Sequence, residues 1–244
     1  MQKGRNKMRK NWFLYIKINE TDKYIISTGI SFNDFINGID VRPTNILVLK
    51  GCPIVCERSS ELDLDYITQG QMEAFYQEKV YHYGDFCWID FLDVRALQGI
   101  SKEGLAQLLY LAHKKEPWND VVIRDLENRY AYLSHDDDYW VKIYMENPRS
   151  YMNVVEQKII VELKRHKKEI AIMSAEISEK LYEIFKQGAI IDFEKSAGKG
   201  VRIYPAIELE NFDEMYRKLE KIRSQNRGIC LEYNTISKQW SIDL

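Results

Sequence analysis

The sequence predicts an α+β protein made mostly of antiparallel sheet, with strands joined as hairpins and helices set between the strand pairs. Three patterns lead there. Apolar residues alternate with polar or aromatic ones over short stretches such as 12–18 and 139–145. Serines at 31, 101 and 174 each precede a stretch whose apolar residues recur at helical spacing. Short polar connections, 134–138, 195–200 and 234–238, separate strand-like runs two by two. The 244 residues suit one large domain or two small ones.

Residues 12–18 place Trp12, Leu14, Ile16 and Ile18 on one side of a strand and Phe13, Tyr15 and Lys17 on the other. Ser31 then caps a short helix, with Asp34 at its third position and Gly38 as its stop. Runs 45–50 and 54–57 read as extended around Gly51-Cys52-Pro53. A helix over 68–79 shares a face among Met72, Phe75, Tyr76 and Lys79, with Gly70 weakening its first turn. Residues 86–91 form a buried strand. Ser101 caps a helix whose apolar stripe is Leu105, Leu108, Leu109 and Ala112, ending before Pro117.

Strands 129–133 and 139–145 make a hairpin around Ser134-His135-Asp136-Asp137-Asp138. The break at 146–150 precedes a long helix to about 168 and predicts a domain boundary, with one α+β unit over 1–148 and a second over 149–244. In the second, Ser174 caps a helix presenting Ile177, Leu181, Ile184 and Phe185, which Gly188 ends in left-handed conformation. Strands 189–194 and 201–207 follow, then a helix capped by Asn211 and Glu214, then a hairpin of 229–233 with 239–242.

Composition narrows the functional classes. With 45% apolar residues and a net charge of −2, the chain has the content of a folded core and lacks the basic excess of a protein that coats nucleic acid. No run approaches the roughly 20 apolar residues of a membrane span, and the basic start is not followed by a signal-like apolar stretch with a cleavage site. A cytoplasmic location with reduced cysteines is therefore expected. Lys3, Arg5, Lys7, Arg9 and Lys10 form a basic arm with no interleaved aromatic, which reads as a solvated terminus before it reads as a phosphate contact.

Candidate chemistry is sparse. Cys52 and Cys56 would stand about 13 Å apart on a straight strand, and Cys87 and His82 do not complete a recognisable zinc spacing, so no metal and no cofactor is expected. The cluster His135, Asp136, Asp137 and Asp138 lacks the alternate-residue spacing of a calcium loop, and aspartates favour turns by bonding nearby amides. Asp85, Asp90 and Asp93 bracket an aromatic strand. Asp90 shares a face with Phe86 and Trp88, where a carboxyl would have a raised pKa and could serve as an acid or base, or would reach a backbone amide. Ala197-Gly198-Lys199-Gly200 lacks the upstream glycine and following helix of a phosphate loop and reads as a turn. His113 and His166, in basic stretches, suit helix C-termini.

Residues 84–91 (GDFCWIDF) and 132–140 (YLSHDDDYW) resemble segments of a family of proteins from low-GC Gram-positive bacteria and their phages to which no activity attaches. The similarity implies a bacterial or phage cytoplasmic origin and carries no functional residue.

Three functions follow as expectations. The first is a regulatory or accessory protein acting through a protein partner or self-association, because 16 Tyr, 9 Phe and 5 Trp exceed what a core of this size must use. The second is an enzyme acting on a nucleotide or nucleic acid through Asp85, Asp90 and the tip residues His135, Asp136, Asp137 and Asp138. The third is a nucleic-acid binder using the basic arm with Lys114, Lys115, Arg165, Lys167 and Lys168.

Overall fold

Alternation in the first apolar segment produces β1 (Phe13–Asn19), which turns back through Asn19 and Asp22 into β2 (Tyr24–Thr28). The computed structural model describes residues 13–51, 57–59, 64–77, 86–118, 120–135, 140–164, 170–194, 200–209, 215–225 and 228–243. Ser31 opens α1 (Phe32–Gly38) with a capping box: its hydroxyl accepts from the Asp34 N–H, and the Asp34 carboxylate accepts from the Ser31 N–H. Next come β3 (Asn45–Lys50), β4 (Glu57–Arg58), β5 (Asp65–Ile67), α2 (Gln69–Tyr76), β6 (Cys87–Phe91), α3 (Val94–Gln98) and α4 (Lys102–Lys114). The hairpin β7 (Tyr130–His135) and β8 (Trp140–Met145) leads through a 3-10 turn at Pro148–Ser150 into α5 (Tyr151–Lys164). The chain closes with α6 (Ala175–Lys186), β9 (Ala189–Asp192), β10 (Gly200–Pro205), α7 (Met215–Gln225), β11 (Ile229–Asn234) and β12 (Gln239–Asp243).

Among the described residues, twelve strands join one sheet, in the order β12-β11-β10-β9-β1-β2-β8-β7-β6-β3-β5-β4, and every neighbouring pair is antiparallel. The α+β class with antiparallel sheet is the one the strand pairing predicts. The boundary expected at 148/149 falls inside this sheet's connectivity. β1 pairs β9, with Phe13 opposite Asp192 and Ile16 opposite Ala189. α5 lies against α1, and the Tyr151 hydroxyl donates to Ser27 Oγ on β2 (2.9 Å).

One face of the sheet carries the main core under α1, α2, α5 and α6. Its centre is aromatic. Trp88 and Tyr132 stack at 5.5 Å with planes 6° apart, and Phe32 meets Phe86, Trp88 and Tyr132 edge-on. Phe35, Phe75 and Tyr151 complete this cluster, all fully buried. Among the described residues, most of the rings are thus buried in the core. Tyr110 and Trp118 are among the rings left exposed.

The second face is covered in two places. α3 and α4 bring Leu97, Leu108 and Leu111 onto Leu47, Ile89, Ala131 and Leu133 of β3, β6 and β7. α7 brings Leu219 and Ile222 onto Phe13, Tyr15, Ile190 and Tyr204 of β1, β9 and β10. α7 is also clamped by charge: the Arg223 guanidinium donates to both oxygens of Asp192 (2.8 and 2.9 Å), a carboxylate with no exposed surface. Between these covers lie Tyr24 of β2 with Lys142 and Tyr144 of β8.

Several local expectations shift. Gly38 does not end α1 by a left-handed turn. Ile39 continues extended, and Gly38 is small because a Cβ there would sit 2.5 Å from the Val154 Cα of α5. Gly188 does adopt the left-handed conformation (φ 75°) that ends α6. In α4 the buried stripe runs through Gly104, Leu108 and Leu111, leaving Leu109 half exposed. β2, β5 and α3 were not anticipated, although Tyr-Ile-Ile-Ser-Thr at 24–28 has the β-branched content of a strand. The cap at Asn211 and Glu214, and the loop 195–199, lie outside the described residues.

Candidate binding site

The site grows from the end of α4. Lys115 takes a left-handed conformation (φ 57°) and its N–H bonds the Leu111 carbonyl, so the chain leaves the helix across the sheet. Three side chains hold the returning segment. Asn128, buried, accepts from the Ile123 N–H (2.7 Å) and donates to the Val121 carbonyl (3.0 Å). Asp125 accepts from both the N–H and the hydroxyl of Ser101, tying the segment to the start of α4. Asp120 accepts from the Val122 N–H (3.1 Å).

This segment walls a cleft of about 560 Å³ over β2 and β8. Glu116, Asp120 and Asp22 place three carboxylates around it, and Tyr24, Tyr144 and Lys142 line it from the sheet. Tyr24 and Tyr144 are direct cross-strand partners whose rings meet edge-on at 5.6 Å. The Lys142 ammonium lies 4.5 Å from the Tyr24 ring centre and 4.9 Å from that of Tyr144. Burial draws the Lys142 pKa below its ordinary value, against the pull of Glu116 and Asp22. Burial, and the same two carboxylates with Tyr24, raise Tyr144, so the phenol stays neutral. Following Glu116 and Pro117 in the chain, Trp118 is 61% exposed and packs on Tyr110 of α4 at 5.7 Å.

The residues singled out by sequence lie elsewhere. Asp90 faces the main core, opposite to the cleft. It is 5% exposed, and its Oδ1 accepts from the N–H groups of Arg129 (2.8 Å) and Tyr130 (2.6 Å). Burial pushes its pKa up to about 6 despite those two bonds. Asp90 therefore has both properties expected of it, the raised pKa and the backbone contact, and the contact ties the start of β7 to β6. His135 ends β7 opposite Trp140. Five residues of strand, about 17 Å, separate it from Tyr130, so the structure does not bring Asp90 and His135 together. Asp85, Asp136, Asp137 and Asp138 lie outside the described residues, as do Cys52, Cys56 and His82. Cys87 is buried under α3 and α4, its thiol near the Ser134 carbonyl (3.5 Å). Asp93 caps α3 and pairs with Arg95.

Sequence reasoning passed over Tyr24, Glu116, Trp118, Lys142 and Tyr144. The only trace of the site was Lys142 within an otherwise apolar and aromatic strand. Among the described residues no group of three or more His, Cys, Asp or Glu is arranged to hold a metal ion, and no helix is long and apolar enough to cross a membrane. No protein-family model, no curated protein and no solved structure matches the chain.

Proposed function

We propose that the protein acts by binding a polypeptide partner, in a regulatory or accessory role, through the cleft over β2 and β8 and the ring pair beside it. The observation that carries this reading is the exposed Trp118, tilted against Tyr110 and following Glu116 and Pro117 of the cleft wall in the chain. A tryptophan left in water at that place loses solvent contact only when something covers it, and Trp and Tyr are the side chains that dominate binding energy at interfaces. Asp22, Glu116 and Asp120 outnumber Lys23 and Lys142 around the cleft and so favour a partner segment that presents Lys or Arg near an apolar anchor, since opposite charges steer encounter and exclude wrong partners. The same carboxylates oppose phosphate, which weighs against a nucleic acid at this position. Among the described residues, Asp90 and His135 of the enzymatic reading lie apart along the sheet.

A photoreactive amino acid at position 118, introduced in the cells that make the protein, tests the proposal. One discrete protein adduct is expected, weakened when Glu116 and Asp120 are both changed to Lys and reduced by added salt. The same probe at Lys180, half-buried on α6 beside Glu176, serves as the reference. Equal, diffuse labelling at 118 and 180 overturns the reading.

A further inference from the structure

The two ends of the sheet are finished differently. At one end β4 has, among the described residues, two residues, both charged, and charged residues on an edge resist pairing with another chain. At the other end β12 has five residues, Gln239–Asp243, with one charge and no proline, and among the described residues it pairs on one side only, with β11. Its outer backbone groups form a template for a further strand.

We propose that β12 pairs antiparallel with β12 of a second copy about a two-fold axis at Ser241, extending the sheet across two protomers. The occupant is a second copy because the strand is complementary to its own reverse. With Ser241 at the centre, Gln239 stands opposite Asp243 of the second copy, so a side-chain amide can donate to a carboxylate, twice by symmetry. Trp240 stands opposite Ile242 of the second copy on the core face, and no like charges meet. The core face at this edge is built to receive such a contact. Trp240 is fixed by donating its indole N–H to the Ala171 carbonyl (2.8 Å), and Ile172, the next residue, is 80% exposed. Ile242 packs on the edge of the main core and keeps part of its surface in solvent. This surface is distinct from the cleft beside Trp118.

Sedimentation velocity of the full chain over a concentration series tests the pairing with two exposed substitutions of opposite sign. Gln239→Asp sets two carboxylates opposite each other at both ends of the interface, and Gln239→Lys sets an ammonium opposite each carboxylate. The expected result is a reversible dimer whose Kd rises roughly three- to tenfold in Gln239→Asp and falls by a similar factor in Gln239→Lys. The second effect fades in high salt, and Trp118→Ala leaves the dimer unchanged. A monomer at every concentration up to about 100 μM, well above the micromolar range of ordinary specific association, overturns the proposal. So does a dimer whose Kd is the same in all three proteins or is lost in Trp118→Ala.

Discussion

Asp90 shows how one buried group can resemble a catalytic residue while its bonds are those of a structural one. Its carboxyl is raised because burial among the rings of the core disfavours the charge, and the two amide bonds recover only part of that. Raised from 3.8 to about 6, it holds its proton in the folded state over a pH window where the unfolded chain has released it. Its contribution to stability is therefore greatest below pH 4 and is lost as pH rises to about 6, a change of about 3 kcal/mol. Asn at this position offers the same oxygen to both amides without a charge. Urea unfolding at pH 4 and pH 7 should show Asp90→Asn gaining on the wild type by up to about 3 kcal/mol between the two conditions. A difference between the two proteins that does not change with pH would mean that Asp90 does not titrate in this window.

Among the elements, α7 depends most visibly on one contact. Its apolar residues Leu219 and Ile222 cover β9 and β10, but its orientation is set by Arg223, whose guanidinium spans both oxygens of Asp192 and also meets Glu194 and Glu220. Removing one member of such a pair costs far more than removing both, because the survivor is left buried and charged. Arg223→Met is expected to lose about 3–5 kcal/mol in equilibrium unfolding, and the double variant Arg223→Met, Asp192→Asn to recover much of it. Equal losses in the single and double variants would show that the helix is held by its apolar face alone. α1 and α5 illustrate the opposite economy. There the approach is so close that only a glycine at 38 clears Val154, while Lys158 reaches across to Asp34 (2.7 Å).

For the molecule as a whole, the pairing of β1 with β9 matters most. It places the N-terminal strand in the middle of the sheet, between β2 and the strands that follow α6. Phe13 and Tyr15 then belong to the core under α7, and Tyr15 donates its hydroxyl to the Ile207 carbonyl (3.1 Å). A fragment of residues 1–148 would bare the edge of β1 and lose the cover that α5 and α6 give to the main core. We expect it to aggregate or to unfold without cooperativity, and mixing it with 149–244 to restore the native circular dichroism spectrum. Independent two-state melting of each half would instead support the two-unit division that the break at 146–150 suggests.

The hairpins at 130–145 and 229–243, the capping serines and the left-handed Gly188 were legible because each rests on residues one to six positions apart: alternation of faces, a hydroxyl reaching the third amide, a backbone freed of Cβ. The binding cleft was not legible, since Asp22, Glu116 and Lys142 meet only after β2 pairs with β8 and the chain beyond α4 folds across them. Nor did counting rings reveal that most of the described ones pack against one another.

Local chemistry thus decided the fold class and the order of most elements, with β2, β5 and α3 the exceptions. Tertiary structure alone decided that β1 lies beside β9, that Asp192 and Arg223 pair, and that Tyr24, Tyr144 and Lys142 line one cleft with Trp118 exposed beside it. The reason is physical: dihedral preferences and side-chain periodicity act over a few residues and leave a pattern along the chain. Burial and charge pairing act through space, between residues whose separation in sequence carries no trace of the contact.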